Sequence, residues 1–102
     1  MERIEGLKQC VSRWLAEHEL ARDTRFCTRE EWKARGEGFL ADSSLVLVFE
    51  GALYSVVNGD HEDSIKLYGN LERLVHELGS FFELGHAWSM GFYPLSARRL
   101  TM

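Results

Sequence analysis

The chain has 102 residues, a formal net charge of −4, 45% hydrophobic and 27% charged residues, a composition of one folded domain rather than of a disordered segment. The acidic balance excludes a general nucleic-acid binder, which needs a basic surface to displace counterions, and it suits a basic protein partner. No run approaches the roughly 18 apolar residues of a membrane helix.

The opening MERIEGLKQC is charged and lacks an apolar leader, so the expected location is cytoplasmic, with no membrane association. Cys10 and Cys27 are then free thiols, and their spacing matches no metal or redox motif. Residues 2–21 read as an amphipathic helix. Ile4, Leu7, Val11, Trp14, Leu15 and His18 share one stripe at helical spacing. Asp23-Thr24 breaks that pattern. Thr28-Arg29-Glu30-Glu31 is a capping box that starts a second helix, with Cys27 and Trp32 at hydrophobic-staple spacing. Gly36 ends it, and Gly36-Glu37-Gly38 reads as a flexible joint. No phosphate-binding helix follows, so it is not a phosphate loop.

Residues 44–58, SLVLVFEGALYSVVN, read as a strand pair with Glu50-Gly51 at the turn. Both faces of such a pair would be apolar. It must then be central in a sheet covered on both sides, or it must meet a partner. The second alternative predicts a homodimer through the apolar sheet. Asn58-Gly59-Asp60 is a turn, and Asp60, Glu62 and Asp63 offset the positive end of the next helix. Their spacing is not that of a calcium loop. The stripe Leu67, Tyr68, Leu71, Leu74, Val75 and Leu78 defines that third helix, and Gly79 caps it. Phe81 to Pro94, FFELGHAWSMGFYP, reads as a second hairpin around a two-residue Gly85-His86 turn. That register puts Phe81, Glu83, Trp88, Met90 and Phe92 on one face. Residues 95–102 form a short tail, expected to be flexible.

The expected fold is α+β, one domain over 1–102, in the order α-α-β-β-α-β-β, with one four-stranded antiparallel sheet and helices packed on one face. Chemistry is harder to place. Glu83, on the bulky face beside Trp88, would be desolvated and able to act as a general acid or base with His86 or His18. A strand-end glutamate that reaches water and a solvated turn histidine explain the same residues. Trp88, Tyr54, Trp14 and Tyr93 could line a small-ligand pocket, although aromatics in a small domain are commonly core. The histidines and cysteines lack paired ligand spacing, so no metal or other cofactor is expected. Three function classes follow: a non-enzymatic protein-interaction module, a ligand-binding domain with an aromatic pocket, and a small enzyme built on Glu83.

Overall fold

The periodicity of the first residues is realised as α1, Glu2–Glu17, in a computed structural model that describes residues 2–98. Its stripe buries Leu7, Val11, Trp14 and Leu15. The helix stops short of residue 21. Glu19 takes a left-handed backbone (φ 58°), and Leu20 turns back to donate its N–H to the Leu15 carbonyl at 2.7 Å. The chain then extends into β1, Thr24–Thr28, whose last residue is also the cap of α2, Arg29–Ala34. The capping box closes as its residue types require. Thr28 Oγ1 accepts from the Glu31 N–H at 3.1 Å, and Glu31 Oε1 accepts from the Thr28 N–H at 2.8 Å. Past α2, Gly36 supplies the left-handed residue (φ 78°).

The remaining elements are β2 (Leu45–Phe49), α3 (Ala52–Val57), α4 (Ser64–Glu77), β3 (Ser80–Leu84), β4 (Ser89–Pro94) and the single turn α5 (Leu95–Arg98). Of the tail expected over 95–102, α5 takes the first part, and residues 99–102 lie outside the described residues. The strands form one antiparallel sheet in the order β1-β2-β4-β3. The α+β class and the four-stranded antiparallel sheet expected from the sequence are both present.

The main core lies on one sheet face. Leu45, Leu47 and Phe49 of β2, with Met90 and Phe92 of β4, pack against α1, against Leu53 and Val56 of α3, and against Leu67, Leu71 and Val75 of α4. Each such side chain contributes about 1.5–3 kcal/mol of burial. The opposite face holds a smaller cluster of Cys27, Trp32 and Val46, edged by Leu40, Val48 and Trp88. There the cover is α2 and the segment that follows it. β2 is therefore central and covered on both sides, the first of the two alternatives for its apolar run.

Two local expectations are corrected. Leu53, Val56 and Val57 do not form the return strand of a hairpin; they lie in the helix α3. Their spacing also fits a helical face, and short apolar runs do not separate the two periods. The decision is tertiary. β1 and β4 occupy both edges of β2, so no ladder is left for residues 53–57. Gly51 lies so close to the β1 approach that a Cβ on it would stand 2.7 Å from the Arg22 carbonyl oxygen.

The second correction concerns register. Leu84 pairs with Met90, not with Ala87, because the turn spans Gly85–Trp88 and the first ladder bond beyond β3 runs from the Gly85 N–H to the Ser89 carbonyl, 3.0 Å. That is an odd displacement, and an odd displacement moves every side chain to the other face. Phe82, Leu84, Met90 and Phe92 therefore share the main-core face. Glu83 sits opposite Gly91, away from it.

Candidate functional site

The polar and aromatic side chains that come together do so on the smaller face of the sheet, where the segment after α2 meets the turn between β3 and β4. α2 positions that segment. Arg29 donates from Nε to the Ser43 carbonyl at 3.0 Å and from Nη2 to the Asp42 carbonyl at 3.1 Å. Trp32, fully buried, donates its indole N–H to the Phe39 carbonyl at 2.7 Å. The segment is thus tied down by three side-chain bonds. Its stretch 36–38, expected to be a flexible joint, leads straight into this anchored stretch.

Leu40 is the peg that fits the segment to the sheet. It holds a left-handed backbone (φ 63°), a conformation that costs a branched residue about 1–2 kcal/mol. In return its side chain enters the space left by two glycines. A Cβ on Gly85 would lie 2.7 Å from Leu40 Cδ1, and one on Gly91 would lie 2.8 Å from Ser43 Cβ. Ser43 closes the loop, donating both its N–H (3.1 Å) and its hydroxyl (2.7 Å) to the Leu40 carbonyl. Gly91 of β4 thus admits the Leu40 and Ser43 side chains.

On this base stands a layered aromatic pad. The His86 ring stacks on Trp88 with centroids 4.2 Å apart and planes 4° from parallel. Trp32 meets both edge-on, each at 6.2 Å. Phe39 stands edge-on to His86 at 5.0 Å and is 59% exposed. The Arg35 guanidinium lies over the Trp32 and Trp88 rings at 5.1 and 5.7 Å, a cation–π arrangement. Glu37 joins the charged rim, 3.6 Å from Arg35 Nη2 and 3.4 Å from His86 Nε2.

Ser89, His86 and Glu37 make a serine–histidine–carboxylate row. Ser89 Oγ lies 2.9 Å from His86 Nδ1 and accepts the His86 backbone N–H at 2.9 Å. The tautomer that serves both neighbours accepts the Ser89 hydroxyl proton at Nδ1 and keeps its own proton on Nε2, toward Glu37. The row cannot act as an acyl-transfer triad. Ser89 is 0% exposed, so its oxygen cannot reach a carbonyl carbon, and its lone pair is engaged by the turn. Its chemistry is orientation: it fixes the His86 ring flat against Trp88.

The residues singled out from sequence fall in separate places. Glu83 is exposed. Diagonally across the ladder from it stands Tyr93, whose phenol is raised above its ordinary 10.0 by burial and then by the carboxylates of Glu83 and Asp42. His18 is exposed beyond the end of α1, beside Trp14 at 4.8 Å between ring centroids. Of the three candidate catalytic residues, only His86 joins the pad. Of the four ligand-pocket aromatics, Trp88 joins it; Trp14 and Tyr54 pack in the main core. Tyr93 stacks on Phe81 at 5.3 Å further along the sheet. Sequence reasoning passed over Arg35, Glu37 and Phe39. The available signal was the alternation of Arg35, Glu37 and Phe39 with Gly36 and Gly38 directly after a tryptophan-bearing helix.

Surface grooves formed by the described residues lie elsewhere. One, of about 450 Å³, runs between α3 and α4 and is lined by Val56, Val57, Ile65 and Tyr68 among others. A second follows the outer edge of β3 beside α4. A third lies between α1 and β1. None of them is lined by Trp88, Tyr54, Trp14 or Tyr93. Among the described residues no group of three or more His, Cys, Asp or Glu could hold a metal ion, and no helix is long and apolar enough to cross a membrane. No protein-family model, curated protein or solved structure matches the chain.

Proposed function

We propose that the chain is a protein-interaction module and that the pad of Arg35, Glu37, Phe39, His86 and Trp88 is its recognition surface. The observation that carries this is Phe39: a phenylalanine 59% exposed, yet held edge-on against a stacked histidine–tryptophan pair. Aromatic and arginine side chains dominate the energetics of protein interfaces. Here they are ordered before binding, by Ser89 beneath His86 and by Glu37 beside Arg35, so less side-chain entropy is lost on association. The net charge of −4 favours a partner with a basic rim through long-range steering. The enzyme reading loses its support, since Glu83 is exposed and Ser89 is sealed. The ligand-pocket reading loses the convergence of aromatics it required. The homodimer expected through the apolar sheet loses its original argument, because β2 is covered on both faces within the chain. A second copy would have to meet this chain elsewhere.

The test is site-specific cross-linking on the full chain. A photo-reactive residue at position 39 should trap an adduct of one discrete mass, and the Arg35→Ala variant should lose it. The same probe at Ile65, 92% exposed, should not trap it. Equal trapping at positions 39 and 65, or trapping at 39 that ignores Arg35→Ala, would overturn the assignment.

A further inference from the structure

α4 turns one face to the core and the opposite face to solvent. Leu67, Leu71 and Val75 are buried. Opposite them Ile65, Lys66, Glu72 and Arg73 are exposed, with Gly69 between them. Ile65 is 92% exposed, and it does not stand alone. It borders the groove of about 450 Å³ that Val56, Val57 and Tyr68 also line, so side chain and groove form one apolar patch rimmed by charges, the pattern of an interaction surface.

The charges on that face are ordered. At about 100° per residue, Ile65 and Glu72 fall about 40–60° to one side of Gly69, and Lys66 and Arg73 fall as far to the other. One column is therefore apolar and acidic, the other basic. The ion pairs among the described residues are both at Glu37, so Lys66, Glu72 and Arg73 are unpaired among them. Such a face complements itself in one sense only. A two-fold axis parallel to the helix lays the acidic column of each copy along the basic column of the other. An axis that makes the helices antiparallel lays the basic column against its own copy, like charge on like.

We propose that α4 packs on α4 of a second copy of this chain, side by side and parallel, about a two-fold axis passing Gly69. Arg73 of each copy then meets Glu72 of the other at nearly the same level, since neighbours in sequence differ by about 1.5 Å in height. Two turns toward the N-terminus, Ile65 of each copy meets the aliphatic stem of Lys66 of the other. Gly69, without a side chain, lets the two helix axes approach closely. One helix face per copy is a small contact, so the dimer is weak and concentration-dependent. It uses none of the pad residues.

Sedimentation of the full chain, followed by cross-linking, tests it. The weight-average mass should rise from 11.8 kDa toward twice that value as concentration rises to about 500 µM. Ile65→Asp and Glu72→Arg should each hold the mass at the monomer value, and combining Glu72→Arg with Arg73→Glu should restore the rise. Phe39→Ala should leave it unchanged, so that failure here and failure of the pad are distinguishable. A photo-reactive residue at 65 should likewise trap a second copy and not the adduct captured at 39. Orientation is read by disulfides in a chain carrying Cys10→Ser. Gly69→Cys, where a Cβ meets nothing within 4 Å, and His76→Cys, each made singly, should both link two copies, because a parallel axis returns each position on the seam to itself. An antiparallel pair centred on Gly69 would hold the two 76 positions about 21 Å apart. A monomer throughout the range, a dimer indifferent to Ile65→Asp or Glu72→Arg, or linkage at 69 without linkage at 76, would overturn the proposal.

Discussion

The two faces of the sheet are built from the same strands and solve different problems. One face meets α1, α3 and α4 and buries Leu45, Leu47, Phe49, Met90 and Phe92. Its cover is helical, and its side chains are apolar and interchangeable in kind. The other face has no long helix over it. Three residues form its buried centre, Cys27, Trp32 and Val46, and an irregular segment completes the cover. Side chains of that segment press against the sheet itself, which is why Gly85 and Gly91 stand where Leu40 and Ser43 lie. Irregular cover leaves polar groups and ring edges to be satisfied one at a time. It is on this face that Arg35, Glu37, His86 and Ser89 find one another. A face covered by helices supplies stability; a face covered by a loop can also carry recognition.

That contrast can be broken by substitution. The largest effect belongs to the helical face: Phe92→Ala should cost about 3–5 kcal/mol in urea denaturation, because Phe92 is 0% exposed and touches both Phe26 and Phe82 rings. Gly91→Ala should cost about 1–3 kcal/mol by overpacking, and the disturbance should appear in the chemical shifts of residues 39–43 rather than in those of α1 or α4. Trp32→Phe keeps an aromatic ring but leaves the Phe39 carbonyl without its indole donor. The expected loss is about 1–2 kcal/mol, with faster amide exchange confined to the segment after α2. Phe39→Ala should leave stability within about 0.5 kcal/mol and still remove binding, the sharpest separation of the two roles.

The smallest effect is alkaline. Burial, followed by Glu83 and Asp42, raises the Tyr93 phenol above 10.0; burial and Glu72 raise Tyr68 in the same direction. A phenol raised in the folded state contributes stability that is complete below its unfolded value and is lost as pH rises through the folded one. Denaturation midpoints should therefore fall above pH 10, and Tyr93→Phe should flatten that fall. An unchanged slope in the variant would show that Tyr93 is not its source.

Local signals in the chain were legible where a single residue type decides a single local geometry. The capping box at Thr28 and Glu31, the staple of Cys27 with Trp32, the glycine ends at Gly36 and Gly79, and the stripe of α4 all depend on neighbours within one helical turn. Sequence by itself determined these, and with them the α+β class and a sheet of four antiparallel strands, in which β1 takes the place expected for residues 53–57. Only the tertiary structure decided the rest. Residues 53–57 satisfy strand and helix periods alike, and the choice fell to β1 occupying the place beside β2. The turn between β3 and β4 could close with two residues or with more, and Ser89, bonded to both the backbone and the ring of His86, sets the longer turn. The face of Glu83 follows from that choice alone. The pad joins positions 35–39 to positions 86–89, and neither stretch carries the pattern of a site. Their meeting depends on Leu40 between Gly85 and Gly91, a contact between residues some fifty positions apart that no local periodicity encodes.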